Sequence, residues 1–298
     1  MRAFETMAQA IVAAHSDLAL PVQAGGLPTF SSEAPVYRAA KQACLALGFI
    51  EIDAECLGHA WQAMCTRTGE FHASDWPDQA ADFGMQPWPR DKAFATCPKN
   101  LGLYAVLPDA AWVGRMARAG VPTVQLRFKS EDAQAIEAEI RAAVQAVQGT
   151  GSLLFINDHW QAAIAAGAYG VHLGQEDMAE ADLQTIRAAG LRLGLSSHGY
   201  AEMLRADTFS PSYIALGAVF PTTLKRMQTA PQGPGRLHAY AQLMQHYPLV
   251  AIGGIDSSRL PEVLGSGVGS VAVVRALVTA DHPETMAASL QAAISNGH

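Results

Sequence analysis

The sequence predicts an α/β fold, a (β/α)8 TIM barrel preceded by a small, mostly helical N-terminal extension. Three observations support this prediction. Eight short runs rich in Val, Ile and Leu follow one another beyond residue 100. Most of their starts lie about 18 to 36 residues apart, which leaves room for a helix after each run. Two amphipathic segments and a proline-rich stretch precede the first run. Their residue composition and hydrophobic periodicity differ from those of the rest of the chain.

The part of the chain before the barrel is predicted to be helical. Segments 33–49 and 53–69 carry apolar residues at spacings of three and four, which is typical of amphipathic helices. Between residues 71 and 99, prolines recur among charged residues, which suits an irregular connector. We therefore place a helical extension with its linker at residues 1–98 and the barrel domain at residues 99–298.

The eight predicted strands are apolar on both faces, as buried parallel strands are. They span residues 101–107, 121–127, 152–158, 170–174, 192–197, 213–219, 249–255 and 270–276. Eight βα units in about 200 residues meet the lower size limit of a TIM barrel. A doubly wound sheet is the structural alternative, because counting strands in a single sequence is imperfect.

Composition and charge exclude several classes of protein. The 298 residues are 50% hydrophobic and 16% charged, which is typical of a globular chain rather than a disordered one. A formal net charge of -7 with only 20 Lys and Arg argues against nucleic acid as a partner. No apolar run reaches the roughly 18 residues that a membrane span needs. We therefore expect a cytoplasmic protein that acts on small molecules and does not bind membranes, and an oligomer is compatible with the sequence.

The four cysteines all lie in the first third of the chain, which does not suit a secreted disulfide scaffold. Cys56, His59, Cys65 and His72 together suggest a zinc site, because zinc prefers these ligands, but their spacing matches no established zinc motif. The alternative is that the cysteines of the two helices are small buried residues.

Polar residues follow the carboxyl ends of at least six predicted strands, where the active sites of such barrels lie. Alternation along the second strand directs Gln125, Arg127 and Lys129 to one side, and Leu126 and Phe128 to the other. The remaining candidates are Asn157, Asp158, His172, Asp177, Ser196, Thr222, Lys225, Gly254 and Arg275.

The charges of these candidates indicate two phosphate subsites. Arg127, Lys129 and Lys225 supply positive charge, while Asp158 and Asp177 offer the hard oxygen ligands that suit Mg²⁺. Backbone amides at the Gly-Gly pair after the seventh strand, and at the helix after the eighth, would hold a monophosphate. Taken singly, each residue has a plainer role, since an Asp at a strand end commonly caps the next helix and a lone cation commonly forms a salt bridge.

Six segments of the barrel part, taken together, resemble the thiamine phosphate synthases. They are QLRFK, INDHW, VHLGQEDM, LGLSSH, VFPTTLK and VAIGGI, and the resemblance runs from about Leu101 to about Ile294. It implies a TIM-barrel transferase that uses Mg²⁺ to join 4-amino-2-methyl-5-hydroxymethylpyrimidine diphosphate to thiazole phosphate. The implied reaction is dissociative: pyrophosphate departs first, and the thiazole nitrogen then captures the pyrimidine cation to give thiamine phosphate.

The resemblance also implies a role for each matching residue. The residues that would hold the diphosphate are Arg127, Lys129, Asn157, Ser196 and Lys225. Gln125 and His172 would lie at the pyrimidine, Asp158 and Asp177 would bind magnesium, and Thr222 and Gly254 would contact the thiazole phosphate. The catalytic residues implied are Arg127, Lys129, Ser196 and Lys225.

Two positions depart from the family pattern, and both lie on the thiazole phosphate side. Leu224 stands where the family has a threonine, and Arg275 stands where many members have a serine. Our hypothesis is that Arg275 supplies a charge-assisted contact that offsets the missing hydroxyl. The alternative is that Arg275 points away and pairs with a carboxylate.

Two other functions stay open at this point. One is a paralogue similar to the thiazole tautomerase, which keeps only the thiazole phosphate site, and the other is a non-catalytic module that binds thiamine phosphate. The extension faintly resembles the C-terminal helices of hydroxymethylpyrimidine phosphate kinase but is too short for that enzyme. We interpret it as a non-catalytic remnant or an interaction segment.

Overall fold

An eight-stranded, all-parallel β-barrel forms the body of the chain in a computed structural model that describes residues 3–22, 28–88, 90–222 and 229–297. The strands are β1 (Gly102–Leu107), β2 (Thr123–Leu126), β3 (Leu153–Asn157), β4 (Gly170–Leu173), β5 (Arg192–Ser197), β6 (Tyr213–Leu216), β7 (Leu249–Ile252) and β8 (Ser270–Val273). Each strand pairs with the next, and β8 returns to pair with β1. The barrel prediction is confirmed and the doubly wound alternative is wrong, because an open sheet would leave two unpaired edges.

Most of the strands are shorter at their carboxyl ends than the apolar runs suggested. The run at 213–219, for example, gives a strand that ends at Leu216, and the run at 270–276 gives one that ends at Val273. Because the residues beyond these points leave the hydrogen-bonded ladder, they form loops at one mouth of the barrel. The loops carry most of the polar residues singled out above.

Helices follow the strands and cover the outside of the barrel. They are α4 (Ala110–Arg118), α5 (Ala133–Ala146), α6 (Trp160–Ala166), α7 (Gln175–Glu180), α8 (Leu183–Ala188), α9 (Tyr200–Thr208), α10 (Gly233–Leu243), α11 (Leu260–Leu264), α12 (Arg275–Val278) and α13 (Pro283–Asn296). Asp109, Asp132 and Asp182 cap α4, α5 and α8 by accepting hydrogen bonds from their first backbone amides.

The barrel has an outer and an inner apolar layer. The outer layer lies between strands and helices and includes Leu126 with the half-buried Phe128. The inner layer comprises Leu101, Tyr104, Val106, Phe155, Tyr213, Ala215, Val250 and Ala272. Because these side chains fill the interior, the barrel is a packed core that leaves space only toward its mouth.

The extension contains α1 (Ala3–Ala14), α2 (Pro35–Ala46) and α3 (Glu51–Thr68), so both predicted amphipathic helices are confirmed. Their contact surface is a small core that includes Ile11, Ala40 and Trp61. A largely irregular segment with one 3-10 turn at Ala80–Phe83 leads to the barrel. The division of the chain at residue 98 stays a prediction.

The cysteines are all reduced, and Cys44 and Cys65 are buried among the helices. His59 and His72 contact Glu55 and Glu70 through their Nε2 atoms, at 3.0 Å and 2.8 Å. Across the described ranges, no three His, Cys, Asp or Glu side chains are gathered as a metal centre. The zinc alternative therefore receives no support.

None of the helices in the described part of the chain is both long and apolar enough to span a membrane.

Candidate active site

A cavity of about 770 Å³ opens at the carboxyl ends of the barrel strands. The predicted site residues that line it are Gln125, Arg127, Lys129, Asn157, Asp158, His172, Asp177, Ser196, Thr222, Gly254 and Arg275. Lys225 and Leu224 lie outside the described residues. The structure thus brings together side chains that the sequence scatters over 150 positions. The roles implied for them by the resemblance stay predictions.

The end of β2 follows the alternation predicted from the sequence. Gln125 is buried with only 4% of its surface exposed, and Leu126 packs on the opposite face in the outer core. The backbone amide of Arg127 donates to the carbonyl of Leu107 at 2.8 Å, which extends the pairing with β1 beyond the strand. Arg127 and Lys129 therefore point into the cavity, and Phe128 does not.

Asp158 and Asp177 both line the cavity at its mouth and lie close enough for the charge of one to act on the other. Lys129 Nζ is 2.6 Å from Asp158 Oδ2, and Asp158 has a φ of 65°, a strained left-handed conformation for a residue with a side chain. Partial burial and the negative charge of Asp158 raise the pKa of Asp177. A cation placed between the two carboxylates would relieve this repulsion.

Neither of these two aspartates occupies the N-cap position of a helix. The N-cap position of α6 is His159, whose side chain makes no capping hydrogen bond, so Asp158 is directed to Lys129 instead. Asp177 is the third residue of α7, and its carboxylate interacts with the backbone of the N-cap residue Gly174, as a carboxylate in a capping box does. The plainer interpretation from the sequence, that such residues are N-caps, therefore fits Asp109, Asp132 and Asp182. Asp158 instead pairs with Lys129, and Asp177 supports the start of α7 from inside the helix.

A chain of hydrogen bonds crosses the floor of the cavity. Gln125 Nε2 donates to Tyr104 Oη at 2.9 Å, and the hydroxyls of Tyr104 and Tyr213 are 2.7 Å apart. His172 then joins Tyr213 Oη through Nδ1 at 2.6 Å and Ser196 Oγ through Nε2 at 2.8 Å. Burial raises the pKa of both tyrosines, so they remain neutral phenols. The floor thus links Gln125 on β2 to Ser196 on β5.

The polar pattern at the strand ends does not single out Tyr104 and Tyr213 as part of the site. A tyrosine inside an apolar strand resembles a core residue, and both are indeed buried in the inner layer. The available signal was alternation: Tyr104 faces the same side of β1 as Val106, which also lines the cavity. Since a buried phenol needs a hydrogen-bond partner, an inward tyrosine predicts a polar floor.

Tight turns shape the side of the cavity after β7. Gly253 and Gly254 have φ values of 106° and 64°, and a Cβ on Gly254 would lie 2.5 Å from the carbonyl oxygen of Pro221. Arg259 Nη1 donates to the carbonyl of Gly254 at 2.6 Å and places a cation at this wall. Arg275 begins α12 nearby and lines the cavity with an exposed side chain. Sequence reasoning missed Arg259, because it lies at the start of a helix rather than at a strand end.

A closed (β/α)8 barrel whose mouth is lined in this way belongs to the TIM-barrel proteins that bind small anionic molecules at the carboxyl ends of their strands. A model of the family described as thiamine monophosphate synthase matches residues 103–277, more than half of the chain. The chain therefore belongs to the thiamine monophosphate synthase family.

Curated relatives and a solved structure agree with this membership. The thiamine-phosphate synthase of Neisseria meningitidis serogroup B is 55% identical over 199 residues, which are 67% of this chain and 97% of that protein. The thiamine-phosphate synthase of Salmonella choleraesuis is 48% identical over 68% of this chain and 97% of its own. A thiamine phosphate pyrophosphorylase from Pyrococcus furiosus superposes with a TM-score of 0.60 at 26% identity, covering 67% of this chain and 98% of that one. About a third of this chain thus lies outside each match.

Proposed function

We propose that this protein is a thiamine-phosphate synthase that joins 4-amino-2-methyl-5-hydroxymethylpyrimidine diphosphate to thiazole phosphate, releasing pyrophosphate. The observation that carries the proposal is the lining of one cavity. Arg127, Lys129 and the two neighbouring aspartates lie on one wall, while Gly254 and Arg275 lie on another. Two anionic substrates would thus be held facing each other. The family and the named relatives support the same activity.

The wall with the two aspartates suits the diphosphate and Mg²⁺. Magnesium in proteins takes one or two carboxylates and completes its shell with water and phosphate oxygens, and the neighbouring pair offers that donor set. Asp158 and Asp177 would hold the ion, which when bound neutralises negative charge on the departing pyrophosphate. Arg127 and Lys129 add fixed positive charge beside them.

The reaction is a substitution at the methylene carbon of the pyrimidine. The bond from this carbon to the diphosphate oxygen breaks, and a bond from the thiazole nitrogen forms. Pyrophosphate leaves as an anion, so no strong general base is needed, and Arg127, Lys129 and Ser196 stabilise the growing charge by ion pairing and hydrogen bonding. Lys225 belongs to the same proposal, although it lies outside the described residues.

The remaining residues position the two substrates. Gln125 is fixed by its bond to Tyr104 and presents its remaining amide groups to the aminopyrimidine. Thr222 and the turn at Gly254 line the side proposed for the thiazole phosphate. Holding both substrates in one cavity makes the second step effectively unimolecular, which is a large part of the rate gain. The cytoplasmic location expected from the sequence is part of this proposal.

The two alternative functions fit the cavity less well. A tautomerase-like paralogue would need only the thiazole phosphate side, and a non-catalytic module would need no charge at the leaving group. The presence of Arg127, Lys129, Asp158 and Asp177 around one space favours the synthase over both.

Pyrophosphate release from the two substrates with Mg²⁺ tests the proposal. We expect release by the natural protein and a loss of at least about 100-fold in Asp177→Ala, a typical cost of removing a charge that stabilises a transition state. Asp182→Ala is a matched control, because Asp182 caps α8 and does not line the cavity. It should keep its activity. Binding of both substrates without release would favour the non-catalytic module.

A further inference from the structure

The helix that follows the cavity wall at β5 has no cap of its own. Ser196, Ser197 and His198 line the cavity, and the next residue, Gly199, is the N-cap of α9. The first amides of a helix have no partner within the helix, and an N-cap side chain commonly accepts their hydrogen bonds. A glycine at the N-cap supplies no such side chain.

The extension supplies the missing cap. Asp53, in α3, accepts a hydrogen bond from the Ala201 amide at 2.8 Å through Oδ1 and also interacts with the backbone of Tyr200. Only 4% of the Asp53 surface is exposed. A Cβ on Gly199 would lie 2.1 Å from Asp53 Oδ2, so the absent side chain leaves the space that this carboxylate occupies. The cap therefore comes from a residue 148 positions earlier.

Further hydrogen bonds fix the extension, which includes α3, against the barrel. The buried Arg236 of α10 donates to the carbonyls of Leu18 at 3.0 Å and Leu47 at 2.8 Å, both in the extension. Trp76 Nε1 donates to Tyr200 Oη at 2.8 Å, one residue beyond the cap. The barrel thus donates hydrogen bonds to the extension through Arg236, and Trp76 donates one to the barrel. These bonds fix the position of α3, and with it Asp53, in addition to the hydrogen bonds that Asp53 itself makes.

Residues 196–199 are also held by hydrogen bonds within the barrel domain. Glu202, in the first turn of α9, accepts hydrogen bonds from the backbone amide of His198 at 2.8 Å and from its Nδ1 at 2.6 Å. Ser196 Oγ bonds His172 Nε2 at 2.8 Å on the cavity floor. Residues 196–199 are therefore held between the cavity floor, the first turn of α9 and the carboxylate from the extension.

We propose that Asp53 is a positioning residue: by accepting the hydrogen bond of the Ala201 amide in place of an N-cap side chain of α9, it holds residues 196–198 in the conformation in which Ser196 faces the diphosphate. The role assigned to Ser196 rests on the proposed function. The extension then contributes to the site without touching the substrate. Ala in place of Asp removes the cap, whereas Asn keeps an acceptor oxygen and caps about as well.

Hydrogen exchange on the full-length protein tests the positioning role without reference to catalysis. In Asp53→Ala, we expect the amides of residues 196–201 to exchange about threefold to thirtyfold faster, the range that corresponds to losing one N-cap. Asp53→Asn should exchange as the natural protein does. Glu55→Ala is the matched control: Glu55 lies in the same helix, but its bonds to Tyr37 and Lys41 stay within the extension. It should leave residues 196–201 unchanged.

An N-cap side chain placed on α9 itself should restore slow exchange when Asp53 is absent. In the double variant Asp53→Ala with Gly199→Asp, the carboxylate stands at the N-cap position of α9, and the exchange rates should return toward those of the natural protein. Gly199→Ala alone should resemble Asp53→Ala, because its Cβ would displace the Asp53 carboxylate. Gly199→Ala also tests the cap if Asp53→Ala does not fold.

Kinetics and binding connect the cap to the site. In Asp53→Ala, we expect KM for the pyrimidine diphosphate to rise about threefold to thirtyfold while KM for thiazole phosphate changes less than about twofold, with recovery in the double variant. Calorimetry with inorganic pyrophosphate and Mg²⁺ should show the same loss of affinity. If the natural protein released no pyrophosphate, the synthase proposal would fail, while exchange and calorimetry would still decide the role of Asp53. Unchanged exchange at residues 196–201, or equal changes in Asp53→Ala and Glu55→Ala, would overturn the proposal.

Discussion

At the scale of single residues, the chemistry of the site depends on what each side chain faces. Three aspartates of the barrel domain, Asp109, Asp132 and Asp182, each cap a helix. Asp158 differs because it pairs with Lys129, and Asp177 differs because the negative charge of Asp158 acts on it. Their proximity could be predicted from the topology, since the carboxyl ends of neighbouring parallel strands meet at one mouth. The strained backbone of Asp158 could not be predicted from residue type.

Replacement of Arg275 tests its proposed contact with the thiazole phosphate. Arg275→Ser should raise KM for thiazole phosphate about tenfold, because a charge-assisted hydrogen bond to phosphate contributes roughly 1.5 to 3 kcal/mol. KM for the pyrimidine diphosphate should change little. Steady-state kinetics with one substrate varied at a time measures both values. An unchanged KM for thiazole phosphate would show that Arg275 has no part in binding it.

The tyrosine bridge on the cavity floor yields a second prediction. Tyr213→Phe removes the hydroxyl that joins Tyr104 to His172, so the free energy of unfolding should fall by about 1 to 3 kcal/mol. We also expect kcat/KM to fall about tenfold, because His172 and Ser196 lose their fixed orientation. Denaturant unfolding and steady-state kinetics provide the two values.

Tyr240→Phe is the matched control for this change. Tyr240 is also buried and donates to Gln232 Oε1 at 2.8 Å, but it does not line the cavity. Loss of the Tyr240 hydroxyl should lower the free energy of unfolding and leave kcat/KM unchanged. Equal effects of the two variants on kcat/KM would contradict the role given to the floor.

At the scale of elements, the strands could be predicted well, and their exact ends could not. Apolar runs identify buried parallel strands, but the last ladder bond depends on the neighbouring strand, as at Leu216 of β6. The amphipathic periodicity of α2 and α3 also gave their existence and type. The cap of α9 by Asp53 was beyond sequence reasoning, because nothing local links residues 148 positions apart.

The buried Asp53 makes the stability of the protein depend on pH. Burial raises its pKa from 3.8 to about 6, and Glu202 and Arg236 are the charged groups that face it. Between these two values the folded protein binds a proton that the unfolded chain does not, so this carboxyl contributes less stability as pH rises from about 4 to 6. Relative to Asp53→Asn, the natural protein should lose roughly 2 to 3 kcal/mol of unfolding free energy over this range.

Denaturant unfolding of both proteins between pH 4 and pH 7 measures this difference. The comparison cancels the titration of the other carboxyls, since both proteins contain them. A difference in unfolding free energy that stays constant with pH, or that grows in favour of the natural protein as pH rises, would contradict the raised pKa of the buried Asp53 carboxyl.

At the scale of the whole molecule, closure of the barrel creates the site. Site residues on or directly after seven strands, β2 to β8, converge because β8 pairs with β1 and closes the sheet, so that all carboxyl ends lie at one mouth. The sequence predicts this closure from eight regularly spaced runs. It does not predict where the extension docks, because the contact depends on buried groups from distant segments, such as Arg236 on the Leu47 carbonyl.

In the magnesium site proposed above, Asp158 and Asp177 share one divalent ion with a pyrophosphate group beside Arg127 and Lys129. A crystal of the natural protein soaked with Mn²⁺ and pyrophosphate tests it most directly through the anomalous signal of the metal. We expect one strong peak about 2 to 2.5 Å from an oxygen of each carboxylate, with pyrophosphate oxygens completing the shell. No peak between the two aspartates, or pyrophosphate bound away from Arg127 and Lys129, would contradict the claim.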